Sequence, residues 1–136
     1  MTACLDASVV LKLLVYESGT DRALEWLTSR EGEELVAPSL LLAEVASVLQ
    51  WRVQTGELTP TERADAMDAL ESLEVRVVWD FDLIRRAAAL ADELDQATVY
   101  DTIYLAVAER EQCALLTADH KFAKAAATKY PLVRLL

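Results

Sequence analysis

Hydrophobic and polar positions along the chain alternate between short apolar runs and longer stretches of helical period. Ala3-Cys4-Leu5 is an apolar run that ends abruptly at Asp6, as a buried strand does on reaching the edge of a sheet. Ser8 to Tyr16 (SVVLKLLVY) has helical length, with Gly19 as its stop. Thr20 to Arg30 sets Ala23, Leu24 and Leu27 on one face with Trp26 beside them, which predicts an amphipathic helix. Glu34-Leu35-Val36-Ala37 is a second strand, and Pro38-Ser39 opens a long helix from Leu40 to Gln54 that Gly56 terminates. Thr59-Pro60-Thr61-Glu62 combines a capping box with proline at the first helical position, so a helix starts there and runs to Leu73.

In the second half, Val75 to Trp79 reads as a third strand, and Asp82 as the cap of a helix over Leu83 to Leu94. Tyr100 or Asp101 opens a further helix reaching Glu111. Ala114-Leu115-Leu116-Thr117 is a fourth strand, a short helix spans His120 to Thr128, and Val133-Arg134-Leu135 is a fifth strand. Short apolar strands alternating with helices predict a parallel sheet covered on both faces. With right-handed crossovers this is an α/β fold, a three-layer α/β/α sandwich with a five-stranded parallel sheet in the order 3-2-1-4-5. Its switch point lies between strands 1 and 4, and such sheets bind ligands at the carboxyl ends of the strands there.

Composition adds limits. A chain of 136 residues fits one domain spanning 1–136, and a hydrophobic content of 54% with only 3 Gly and 3 Pro argues against a disordered chain. No apolar run approaches the roughly 18 residues of a membrane span. The segment Met1 to Asp6 lacks a basic region and meets an acid early, so it does not read as a signal peptide, and a cytoplasmic location is expected. Cys4 and Cys113 make neither a disulfide framework nor a zinc site; both read as buried thiols on adjacent strands. The net charge of −10 opposes generic nucleic-acid binding, which depends on basic surface. An acidic protein can still act on RNA if bound divalent cations supply positive charge locally and basic residues gather at one rim.

Four acids converge on the expected crevice. Asp6 leaves strand 1, Asp119 follows strand 4 by two residues, and Asp101 starts the helix leading back into strand 4. Glu44 lies on a helix that is apolar nearly all round, flanked by Leu40, Val48 and Trp51, where an unpartnered carboxylate is costly. Taken singly, Asp6, Asp101 and Asp119 read equally well as helix N-caps, and Glu44 as a solvated or Arg-paired side chain. Taken together they suit a hard cation, Mg²⁺ or Mn²⁺. His120 is the only histidine, which excludes a His-based zinc site and a paired-His mechanism. Metal-assisted attack of water on a phosphodiester is the chemistry this set supports.

At these residues the chain resembles the PIN-domain family, most closely the VapC-type toxins of toxin–antitoxin pairs. Four segments carry the match in order: Leu5 to Lys12 (LDASVVLK), Pro38 to Glu44, Tyr100 to Ala106 (YDTIYLA) and Leu115 to Phe122 (LLTADHKF). The resemblance implies a metal-dependent endoribonuclease with Asp6, Glu44, Asp101 and Asp119 as its catalytic, metal-binding acids. It implies supporting hydroxyls at Ser8 and Thr117, and a basic position at Lys12 that orients a carboxylate or touches RNA. Lys121 and Lys124 are the other basic residues near the expected edge. Tyr100 and Tyr104 read as core or rim aromatics. The family further implies products with 5′-phosphate and 3′-hydroxyl ends, a homodimer and an antitoxin that blocks the site. The helices bearing Trp26 and Trp51 are the candidate contact surfaces.

Rival readings fit less well. A phospho-receiver domain wants an adjacent acidic pair after strand 1 and a Lys after strand 5, and only Asp80 after strand 3 supports it. An aspartyl-phosphate phosphatase needs a second Asp where Ser8 stands. A catalytically inactive PIN-like protein- or RNA-binding module is the alternative that the net charge favours and the complete acidic set opposes.

Overall fold

Five strands, β1 (Thr2–Leu5), β2 (Glu34–Pro38), β3 (Arg76–Val78), β4 (Ala114–Thr117) and β5 (Val133–Leu135), form one sheet in the order β3-β2-β1-β4-β5, every neighbouring pair parallel. The computed structural model describes residues 1–136. Seven helices join the strands: α1 (Ala7–Leu14), α2 (Thr20–Ser29), α3 (Leu40–Gln54), α4 (Pro60–Ser72), α5 (Phe81–Glu93), α6 (Tyr100–Arg110) and α7 (His120–Ala126). Helix α1 packs on α2, α3 and α4, while α5 lies on α6, which crosses β1, β2 and β4. The expected three-layer sandwich and strand order are both present. No helix is long and apolar enough to cross a membrane.

Helices on both faces explain why the central strands read as continuous apolar runs rather than as alternation. Ala3, Cys4 and Leu5 of β1, Leu35 to Ala37 of β2 and Leu115 to Thr117 of β4 are all buried. The chain begins in the middle of the sheet, builds outward through β2 and β3, and returns through α5 and α6 to pair β4 on the other side of β1. Leu5 lies opposite Leu116, so the carboxyl ends of β1 and β4 are level at the switch point. Asp6 N–H donates to Leu116 O at 3.2 Å and extends the ladder by one residue.

Several boundaries differ from the sequence expectation. Helix α1 stops at Leu14, because Val15 turns to extended backbone (φ −135°, ψ 133°) after its N–H closes on Leu11 O. Gly19 does not stop that helix. It starts α2 at φ +91°, a conformation L side chains avoid, and a Cβ there would meet Lys12 Cδ at 3.1 Å. The cap of α5 is Asp80, whose carboxylate accepts from Leu83 N at 2.8 Å, not Asp82. Pro38 completes β2 rather than opening α3. Helix α3 is apolar all round in sequence but one-sided in space: Leu41, Val45 and Leu49 are buried, whereas Leu42 and Trp51 face outward and Trp51 is 60% exposed. The capping box stands as read, with Thr59 Oγ1 accepting from Glu62 N and Glu62 Oε1 accepting from Thr59 N.

Candidate active site

The four acids are brought to one place by four separate elements. Asp6 caps α1, Glu44 lies in the second turn of α3, Asp101 is in the first turn of α6, and Asp119 caps α7. All four line a cavity of about 240 Å³, together with Ala7, Ser8, Leu11, Val48 and Tyr104. A larger cavity of about 640 Å³ lies at the opposite, amino edge of the sheet between Leu27, Glu33 and Leu73. It is remote from the switch point, and the smaller cavity is the one in which the chemistry converges.

The cap reading and the ligand reading of the aspartates turn out to be compatible. Asp6 Oδ1 accepts from Ser8 N at 3.0 Å and Val9 N at 3.3 Å, and also from the Ser8 hydroxyl. Asp119 Oδ1 accepts from Phe122 N at 3.0 Å. Each cap uses Oδ1 and leaves Oδ2 outside it. Asp101 caps nothing: α6 has Val99 at its N-cap position, without a side-chain cap, and Asp101 sits within its first turn, where the helix dipole favours a negative charge.

The two hydroxyls support this edge from the side. Ser8 Oγ donates to Asp6 and accepts from Ala118 N at 2.9 Å, tying the start of α1 to the β4–α7 turn. Thr117, fully buried, accepts from Asp119 N at 3.0 Å and holds that turn in shape. Lys12 is engaged elsewhere: its Nζ donates to Ser18 O at 2.8 Å and pairs with Glu17 at 3.3 Å, and Arg52 pairs with the same Glu17. Lys121 and Lys124 are exposed on α7, just beyond Asp119, as is His120. Tyr100 is exposed at the rim, whereas Tyr104 is buried against the cavity. Sequence reasoning gave Tyr104 no place in the site. Its spacing of three from Asp101 on one helix was the available signal, since residues i and i+3 share a face.

Electrostatically the cavity is unbalanced, for no cationic side chain lines it. Burial pushes the Glu44 carboxyl up to about 7, with the Asp101 and Asp6 charges adding to the effect. Burial and the charges of Asp119 and Asp6 push Asp101 up to about 6. Asp6 is also raised, by burial, against the opposing hydrogen bonds from Ser8, Thr117 and Val9. No three His, Cys, Asp or Glu side chains close on a single point as a finished metal site does. Four carboxylates lining one cavity without a cationic side chain repel one another. Glu44 Oε1 is buried with no hydrogen-bond partner. An all-oxygen donor set with an orphaned carboxylate oxygen and no cationic side chain fits a hard divalent cation.

The family model for the PIN domain matches residues 3–128. The chain belongs to the PIN-domain family. Within it, the chain is 32% identical over 124 residues to Ribonuclease VapC47 of Mycobacterium tuberculosis (strain CDC 1551 / Oshkosh), covering 86% of this chain and 84% of that protein. This places it among the VapC-type PIN proteins. Its fold is similar to a toxin–antitoxin complex from Klebsiella pneumoniae (TM-score 0.69, 19% identity, 97% of this chain and 95% of that one). It is equally similar to Mycobacterium tuberculosis VapC20, a Sarcin-Ricin loop cleaving toxin (TM-score 0.69, 17% identity, 91% and 95%). The PIN fold thus accounts for the sheet order, and the acidic cavity lies at its switch point.

Proposed function

We propose that this PIN-domain protein is a metal-dependent endoribonuclease and the toxin of a type II toxin–antitoxin pair. One observation carries the reading: Asp6, Glu44, Asp101 and Asp119 line a single cavity at the switch point that contains no cationic side chain. The likeness to a VapC ribonuclease supports RNA as the substrate.

The residues that would hold the cation are these four acids. When bound, Mg²⁺ or Mn²⁺ supplies the positive charge that lets water attack a phosphodiester in line and that stabilises the leaving oxygen. The chain contributes the arrangement. Asp6 is fixed by its cap and by Ser8, so one oxygen is committed and the other has a set direction. Asp119 is fixed in the same manner through Phe122 N and the Thr117 turn. Glu44 and Asp101 lack such anchors and are the adjustable pair. Leu11 and Val48 give the cavity an apolar wall. Lys121, exposed two residues past Asp119, is a cation available to an RNA phosphate, whereas Lys12 is held at the turn after α1 by Glu17 and the Ser18 carbonyl.

A partner would supply the positive charge and apolar cover that this surface lacks. Trp51, Trp79 and Phe81 are strongly exposed, which suits burial by an antitoxin or a second copy of the chain. The deciding experiment is cleavage of a mixed RNA pool by antitoxin-free protein in Mn²⁺, in Mg²⁺ and in EDTA. Cleavage is expected only with a divalent ion, and Asp101→Asn should reduce it on the order of 100-fold or more while the protein stays folded. Cleavage in EDTA, or retained by the Asn variant, would overturn the assignment. Folded protein that cuts no RNA with either ion would favour the inactive binding module.

A further inference from the structure

Two buried polar atoms at this cavity have no hydrogen-bond partner, Glu44 Oε1 and the Tyr104 hydroxyl. Each is a group that protein interiors rarely leave unpaired, because it forfeits its hydration and receives nothing in exchange. Both side chains line the same cavity. One is an acceptor, and the other is a phenol able to donate.

The supply of donors in the cavity makes the pairing specific. The Ser8 hydroxyl is spent on Asp6. With the four acids ionised, the state that holds a cation, carboxylates only accept, and no Lys, Arg or His lines the space. The Tyr104 O–H is therefore the one uncommitted side-chain donor among the lining residues, and Glu44 Oε1 is the one buried acceptor there lacking a donor. Tyr104 is also well placed to act as a fixed point. It is 2% exposed, on a helix whose residues from Thr102 to Ala108 are all buried. Helix α6 is further tied to α5 by the Thr102 hydroxyl, which donates to Ala87 O at 2.8 Å. Glu44 has three rotatable bonds and no other anchor.

We propose that Tyr104 is a positioning residue: its hydroxyl donates to Glu44 and turns the other carboxylate oxygen toward Asp6 and Asp101, where the divalent ion binds. The inference rests on the metal-dependent reading above and extends it to a residue that touches neither ion nor RNA. The hydroxyl contributes by narrowing the orientations of Glu44 before the ion arrives, as outer partners of metal ligands do.

Tyr104→Phe keeps the ring and removes only the oxygen. Mn²⁺ affinity is measured by calorimetry for the wild type, Tyr104→Phe, Glu44→Ala and the double variant. Denaturation midpoints of the same four proteins are measured in EDTA. The Phe substitution is expected to weaken Mn²⁺ binding on the order of tenfold when Glu44 is present and to change it little when Glu44 is absent. In EDTA the two substitutions should shift the midpoint non-additively, since they remove opposite ends of one bond. Unchanged Mn²⁺ affinity in Tyr104→Phe, an equal loss in both backgrounds, or additive midpoints would overturn the positioning role while Mn²⁺ binding by the wild type keeps the metal reading intact. A wild type that binds no Mn²⁺ would overturn both.

Discussion

Glu44 carries a charge that burial and the neighbouring Asp101 and Asp6 carboxylates make costly, so its carboxyl is pushed up to about 7 from an ordinary 4.5. The folded protein therefore binds this proton more tightly than the unfolded chain does. The resulting stability is fully present below about pH 4.5 and is lost as pH rises through about 7. Asp101, pushed up to about 6, acts in the same direction. In EDTA, the urea midpoint is expected to be higher at pH 5.5 than at pH 7.5. Glu44→Gln should raise the pH 7.5 midpoint and flatten this dependence, and a Gln variant less stable than wild type at pH 7.5 would contradict the desolvation of this carboxylate. The acids themselves were legible from sequence because each interrupts an apolar pattern or ends a strand. Their mutual repulsion was not, because it depends on distances across four elements.

Capping shows what local sequence does and does not decide about elements. Thr59-Pro60-Thr61-Glu62 closes both of its hydrogen bonds as read, since every partner lies within one turn. At α5 two aspartates compete, and the strand decides between them. Strand β3 ends at Val78, which puts Asp80 at the helix start, where it accepts from Leu83 N and pairs with Arg110 of α6. Arg110 and the Leu83 N–H hold the Asp80 carboxyl down to about 2. Asp80→Ala should lower the urea midpoint at pH 7, whereas Asp82→Ala, whose exposed carboxylate pairs only with Arg85 one turn away, should leave it within error. Because the folded pKa is depressed, the Asp80 contribution persists at neutral pH and disappears only as pH falls toward 2. Equal effects of the two substitutions would return the cap to Asp82. Helix α3 was read as apolar all round, and its outward Leu42 and Trp51 became identifiable only once the inward stripe of Leu41, Val45 and Leu49 was seen to meet its neighbours.

For the molecule as a whole, a net charge of −10 and an acidic cavity lined by no cationic side chain mean that, on the proposed function, a divalent cation is expected to act as a stabilising ligand. A ligand that binds only the folded state at about one hundred times its dissociation constant adds about 2.7 kcal/mol. In a chain of this size that raises the thermal midpoint on the order of ten degrees. MnCl₂ is expected to produce such a rise beyond that of NaCl at matched ionic strength, and Asp101→Asn should remove most of it. An identical rise with both salts, or one preserved in the variant, would show that general screening and not a site is responsible.

The sequence by itself determined the alternation of strands and helices, the central start of the sheet and the four acids at its carboxyl edge. All of these follow from periodicity, local capping and chain direction, which act over a few residues at a time. Tertiary structure alone decided that Ser8 bridges Asp6 to Ala118, that Lys12 is consumed by Glu17 and Ser18, and that Tyr104 lines the same cavity as Glu44. Ser8 and Ala118, like Glu44 and Tyr104, are far apart along the chain, and even for the nearer partners of Lys12 only packing fixes which donor meets which acceptor.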